Sequence, residues 1–369
     1  MSYNRIVKVI KVIMRIRNVL IFSACAITLL GIQGCNEANN SGPRLRVVAD
    51  CPLNPASING TGATFPEPIY QLWITQYQLA CPNQKVAYEG TGSGKGVDAT
   101  VAMTTTFGAS DGGFPDDALQ NNPNLVMLPV TGGSIAVAYN LIQAPDLKLS
   151  RDVLVEIFSG SITNWNDQKI QKDNPHYTLP DLPITVVVRR DSSGSTETFS
   201  RYLSANKFWK ERYGVNKEIN FPQQAIRADG GSALGEKLSQ QNGSIGYLET
   251  GKARTIGLSV AAVENRENQF VLPSTEAVQT ALGSIELDEN LGGHDGNPAG
   301  KNAYPIVNYT WLLFTKETAQ RSPDDAEAFR KFVQYTLTPV AQETGVPLGY
   351  VPLTPEVNRR VSNALNSLN

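Results

Sequence analysis

An α/β fold is what this sequence predicts, and three observations predict it. Short β-rich runs alternate with helical patterns along most of the 369 residues. Hydrophobic residues make up 41% of the chain against 18% charged, enough to bury a core of about two domains. Beyond the N-terminus there is neither an internal repeat nor an apolar segment long enough to span a membrane. With 32 Lys+Arg against 34 Asp+Glu the net charge is -2, so no global basic field is available to recruit nucleic acid. Any anion site must be local.

The elements follow in chain order. Residues 1–18 carry Arg5, Lys8, Lys11, Arg15 and Arg17 and no acid, and Val19 to Ile32 is an apolar stretch too short to span a bilayer comfortably. This is the pattern of a secretion signal. The tetrapeptide IQGC, Ile32 to Cys35, resembles the lipobox of bacterial lipoproteins, where cleavage frees a cysteine for diacylation. Residues 1–34 are therefore expected to be a signal peptide, Cys35 the lipidated residue and 35–55 a polar tether, with an ordinary signal peptide cut nearby as the alternative. That places the protein in the periplasm or cell envelope. If Cys25 leaves with the signal and Cys35 takes lipid, Cys51 and Cys81 remain, and export favours a disulfide between them over two free thiols.

Four later stretches carry the chemistry. In NGTGATFPEPIYQLW, Asn59 to Trp73, Thr64 and Phe65 precede Pro66 and Pro68, which suit a first helical turn because its N–H groups are free anyway. YEGTGSGKGVDATVAM, Tyr88 to Met103, runs from strand through a glycine-rich turn into a helix, with Ser93 expected as its cap. FGASDGG, Phe107 to Gly113, ends a strand at Ser110 and Asp111. VVVRRDSSGSTETFSRYL, Val186 to Leu203, stops a β-branched run at Arg189 and Arg190 and enters an amphipathic helix through Asp191, Ser192, Ser193, Gly194 and Ser195. Three of the four deliver hydroxyls and N–H groups at a helix start, where those N–H groups lack intrahelical partners and face the positive end of the dipole. Several such turns facing one another make a cage for an oxyanion.

Taken singly, each turn is weak evidence, since a Ser, Thr or Asp before a helix is commonly only its cap. GTGSGKG also fails as a nucleotide phosphate loop: the required first glycine is Glu89, and Gly96 stands where Ser or Thr must bind magnesium.

Together the four stretches resemble the phosphate-binding protein of the bacterial high-affinity phosphate ABC transporter. The similarity lies in Gly60 to Pro68, Gly90 to Ser93, Phe107 to Asp111 and Arg189 to Gly194, with ITNWND at Ile162 to Asp167 and IGYLE at Ile245 to Glu249 in support. It implies a periplasmic binding protein fold, type II-like, with two α/β lobes: 56–131 and 306–369 in lobe 1, 132–305 in lobe 2, hinged near Val130 to Gly133 and Tyr304 to Val307. Its implied partners are inorganic phosphate and a membrane permease, with no cofactor, no reaction and a monomeric state; sulfate or arsenate is the alternative ligand. Residue by residue, it implies backbone N–H groups from Thr64 and Phe65, hydroxyls from Thr64 and Ser93, the guanidinium of Arg189, and a second helix-start nest at Ser193, Gly194 and Ser195. Many relatives have Thr in place of Ser195, so only a methyl group is in question there.

Asp111 carries the selectivity expected of such a site. A carboxylate beside an anion is repulsive unless the ligand has a proton to donate, which phosphate has near neutral pH and sulfate lacks. Asp191, two residues beyond Arg189, is expected to orient that arginine from behind, and Arg190 to point away. A hydrolase is the competing class, but His176 and His294 are the only histidines, and both are expected on surface loops away from the four stretches.

Overall fold

The computed structural model describes residues 49–317 and 322–367. The signal, Cys35 and most of the tether fall outside the described residues. Among those described, no helix is long and apolar enough to cross a membrane.

One mixed sheet organises the chain. Its strands are β1 (Ala56–Gly62), β2 (Gln84–Gly90), β3 (Phe107–Ser110), β4 (Leu125–Asn140), β6 (Thr185–Arg189), β7 (Ile226–Ala228), β8 (Ser244–Glu249) and β12 (Val307–Thr315), in spatial order β2-β1-β3-β12-β4-β8-β6-β7. β9 (Ser259–Val260) and β13 (Tyr350–Val351) pair with β4 off this path, and β5 (Lys148–Leu149), β10 (Ala262–Glu264) and β11 (Phe270–Val271) form a separate small sheet. At each end the pairing is parallel, β1 with β2 and β3 and β6 with β7 and β8. Those parallel pairs need crossover helices, which explains the α/β alternation in the sequence.

Two long antiparallel strands connect these ends. β4 pairs with β12 over Leu125 to Ser134 and with β8 over Ile135 to Asn140. Both are buried nearly throughout, with the polar Thr131, Ser134, Asn308 and Thr310 buried among their apolar residues. Pro129 lies inside β4, where it cannot donate a ladder hydrogen bond, and the β4–β12 register shifts between Thr310 and Trp311, opposite it.

The helices that concern the site each begin where a strand ends. Helix α1 (Glu67–Ala80) starts directly after Pro66 with Pro68 in its first turn, and buries Ile69, Tyr70, Trp73, Ile74 and Tyr77 on one face. Its C-cap is Cys81, which is disulfide-bonded to Cys51 with the Cα atoms 5.5 Å apart. The expected pairing is thus present, and it pins the start of the described chain to the end of α1. Helices α2 (Ser93–Val101), α3 (Gly194–Leu203) and α4 (Gly230–Gln240) follow β2, β6 and β7 in the same way. Leu234 and Leu238 of α4 pack on Val187 and Leu248 as a core distinct from the main one, so the β6–β8 end is covered on both faces. The main core runs continuously from Ile58 to Leu365, and all described residues belong to one compact unit.

The glycine-rich region 265–302 resolves into β11, the helix at Thr275–Gly283 and a long irregular stretch. That stretch is tied to β12, where Leu291 O accepts from Trp311 Nε1 at 2.8 Å, and to the helix that begins at Arg151, whose Nη2 donates to Asn297 Oδ1 at 2.9 Å.

Candidate oxyanion site

The turns before α2 and α3 meet face to face. Gly94 N–H donates to the Ser192 carbonyl at 3.1 Å, and Gly194 N–H donates to Ser93 Oγ at 3.1 Å. The approach depends on glycine. A Cβ on Gly194 would lie 2.6 Å from both Asp111 Cβ and Ser93 Oγ, and Gly92, at φ 106°, would bring one to 2.9 Å from Asp191 Oδ2.

Ser93 corrects the expectation of a cap. The N-cap of α2 is Gly92, Ser93 is the first helical residue, and its hydroxyl oxygen accepts instead from Gly194 N–H and, at 3.4 Å, from Asp111 N–H. Thr64 does the same from the other side, its Oγ1 accepting Gly231 N–H at 3.3 Å. Ser193 caps α3, accepting Thr196 N–H at 3.2 Å, while its own N–H goes to the Lys217 carbonyl. In each case the oxygen is used as an acceptor, so the hydroxyl proton is left to be donated. Ser195 Oγ is buried and makes no hydrogen bond. Phe65 is buried at the mouth of α1, its carbonyl accepting Tyr350 Oη–H at 2.6 Å.

Arg189 is the buried cation among these groups, its side chain only 2% exposed. Its Nε donates to Asp191 Oδ1 at 2.7 Å and its Nη2 to Oδ2, so Asp191 holds it in a two-point grip, and Oδ1 also accepts Gly230 N–H at 3.0 Å. Burial opposes the charge of Arg189, but Asp191 outweighs it and raises the guanidinium pKa; Arg189 in turn holds Asp191 below the usual carboxylate range despite its partial burial.

Asp111 is the opposite case. Burial pushes its carboxyl up to about 7, against the lowering effect of the Thr310 hydroxyl, which donates to Oδ1 at 2.9 Å; Glu249 raises it further, while Arg189 and Lys217 lower it. Near neutral pH this residue is divided between a carboxylate, which accepts a proton, and a carboxylic acid, which donates one.

Several participants went unrecognised in the sequence. Thr310 lies mid-strand in β12 and shows its role only through Asp111. Gly231 belongs to ADGGSAL, Ala228 to Leu234, a strand-to-helix turn of the same kind as the others, so a signal existed. Tyr247 Oη accepts Arg189 N–H at 3.3 Å and bonds with Thr196 Oγ1 at 2.7 Å, anchoring the arginine backbone from within IGYLE. Both histidines are exposed on loops as expected, but His294 is not away from the four stretches: its Nε2 is 3.3 Å from the Gly112 carbonyl, next in the chain to Asp111. The His294 ring packs edge-on against Trp311, and neither Ser93 nor Ser193 bonds to a histidine. Among the described residues, no group of three or more His, Cys, Asp or Glu is arranged to hold a metal ion.

Buried hydroxyls with protons to donate, one held guanidinium and one buried carboxylate are the kinds of group an anion-recognition site requires. The family model for the PBP superfamily domain matches residues 51–340. The phosphate-binding protein PstS of Methanocaldococcus jannaschii is 34% identical over 374 residues, covering 95% of either chain, and that of Pasteurella multocida is 34% identical over 310 residues, covering 83% of this chain and 88% of its own. A solved phosphate-binding protein from Stenotrophomonas maltophilia shares the fold at a TM-score of 0.65 and 20% identity, over 84% of this chain and 93% of that one. The chain belongs to the PBP superfamily and, within it, to the PstS phosphate-binding proteins.

Proposed function

We propose that this protein captures inorganic phosphate between two lobes, 56–131 with 306–369 and 132–305, and delivers it to the membrane permease of an ABC transporter. The relatives named phosphate-binding protein support the ligand. The observation that carries the reading is the combination of Asp111 with Arg189 and the hydroxyls of Thr64, Ser93, Ser193 and Ser195: many donors and one acceptor, which suits an oxyanion that keeps a proton. Phe65 contributes a backbone N–H group at the start of α1, while the Gly194 N–H, donated to Ser93 Oγ at the start of α3, holds that hydroxyl so that its proton is left for the ligand. The protein works in the periplasm or cell envelope as a monomer, held to the membrane through lipid on Cys35 after removal of residues 1–34, and catalyses no reaction.

Titration calorimetry on phosphate-free protein at pH 8 tests the ligand. Phosphate is expected to bind one-to-one, arsenate to compete with it, and sulfate to give no heat; sulfate binding as tightly as phosphate would overturn the reading. Turnover of a chromogenic phosphate ester would mark a hydrolase instead. Small-angle scattering is expected to show compaction on phosphate addition, and an unchanged radius of gyration beside tight binding would remove the two-lobe closure.

A further inference from the structure

The face of α3 that meets the opposite side of the cleft continues beyond the residues assigned to the ligand. Gly194 lies against Asp111 and Ser93, and Glu197, three residues on and so on the same face of the helix, lies against Gly112. A Cβ on Gly112 would stand 2.1 Å from Glu197 Oε2, 2.8 Å from Cδ and 3.1 Å from Oε1, so the nearest atoms beyond its chain neighbours all belong to one carboxylate. No positive φ calls for glycine at 112; the contact alone does.

The Glu197 side chain is 16% exposed. Its Oε1 accepts from Arg201 Nη2 at 2.8 Å, while Oε2 is buried, accepts no hydrogen bond and has Lys217 Nζ at 3.9 Å. A pair with Arg201 one turn along the helix accounts for Oε1, but not for a second oxygen taken out of water and set against the backbone next to Asp111. Gly112 is also approached from another direction. Its carbonyl lies 3.3 Å from His294 Nε2, and the stretch carrying His294 packs on α3 at Gly296, where a Cβ would come 2.6 Å from the Arg201 carbonyl oxygen. Residues of the 132–305 lobe thus hold Gly112 on two sides without using any group assigned to phosphate.

We propose that Glu197 is a positioning residue for phosphate retention: seated on Gly112 when the cleft is shut, it locks the Asp111 turn against α3 and slows the opening through which phosphate leaves. This rests on the two-lobe phosphate reading above. Arg201 and Lys217 hold the carboxylate from its own lobe, so it meets Gly112 already oriented. A contact made only in the shut state favours that state, and acts on release more than on capture.

Release is measured by loading the protein with radiolabelled phosphate, chasing with excess unlabelled phosphate and sampling by rapid filtration; association is followed by uptake of the label. Gly112→Ala changes no charge, and its Cβ meets only the end of a flexible side chain, so it displaces Glu197 rather than the backbone. It is expected to speed release about tenfold while association stays within about twofold of the parent. Glu197→Asp, which keeps the charge and draws the carboxylate back from Gly112, should do the same. A contact serving the fold alone would lower the melting temperature of phosphate-free protein and leave release unmoved. Glu197→Ala vacates the place of the new Cβ, so adding Gly112→Ala to it should change release by less than about twofold; the lost charge is common to both members of that comparison and cancels. Should Gly112→Ala not fold, Glu197→Asp decides, and release as slow as the parent's overturns the proposal. Release unchanged in both single variants, or a Gly112→Ala effect of equal size in the parent and in Glu197→Ala, overturns the role of Glu197 and leaves the phosphate reading standing. A parent that binds no phosphate, or binds it without compaction, overturns both the two-lobe reading and the proposal.

Discussion

Arg189 and Arg190 are adjacent in the chain and each grips one aspartate with two guanidinium nitrogens. Arg189 Nε reaches Asp191 Oδ1 at 2.7 Å and Arg190 Nε reaches Asp229 Oδ1 at 2.9 Å, and in both the Nη2 nitrogen takes the second carboxylate oxygen. Their exposures are 2% and 63%. Successive residues at a strand end point to opposite faces, so one pair is carried into the site and the other into water. Contact geometry therefore says little about function, and surroundings decide it. In water the pair is screened and competes with hydration, whereas in the interior each charge depends on the other and on Gly230 N–H.

The largest break in this comparison should come from Arg189→Ala. It removes the buried cation and strands Asp191, so phosphate affinity measured by calorimetry is expected to fall roughly a hundred- to a thousandfold, with a lower Tm. Arg189→Lys should recover only part, since an ammonium cannot make the two-point contact. Unchanged affinity in Arg189→Ala would mean that the buried pair serves the fold alone.

Asp111→Asn tests what a buried carboxylate does without a directly bonded cation. The phosphate-to-sulfate affinity ratio at pH 8 is expected to fall on the order of a hundredfold, chiefly because sulfate gains a donor where it met an acceptor. The same variant should be more heat-stable than the parent at pH 8 and lose that advantage toward pH 4. The sign follows from a folded-state pKa raised to about 7: the stability associated with neutral Asp111 is complete below its unfolded value and is lost as pH rises through about 7. A melting-temperature difference independent of pH would contradict it.

Asp191→Asn keeps the shape of the buried pair and removes its charge. Phosphate affinity should change by about tenfold, because Arg189 loses orientation rather than its charge. The smallest effect should come from Arg190→Ala, with affinity within about twofold of the parent in the same titration. A loss as large as that of Arg189→Ala would exchange the roles of the two arginines.

How much of this was legible beforehand can be judged residue by residue. Two prolines after Thr64 and Phe65 fixed the start of α1 through local sterics alone. Strand alternation sent Arg189 and Arg190 to different faces, and the spacing of Asp191 from Arg189 let the pair be foreseen. The Cys51–Cys81 disulfide followed from how few cysteines remain after export. Even the assembly of the oxyanion turns could be anticipated, because each is a strand-to-helix junction whose free N–H groups and hydroxyls are set by neighbouring residues.

What the chain order could not show is which distant groups share a volume. Ser93 looked like a cap, yet its hydroxyl accepts the N–H of Gly194, 101 positions away, because β2 and β6 end facing one another. Thr310 bonds Asp111 across 199 positions, and His294 meets Gly112 across 182. Local chemistry fixed the kinds of group present, while charge and proton position depend on distance and burial, and these came into being only when the sheet brought its two ends together.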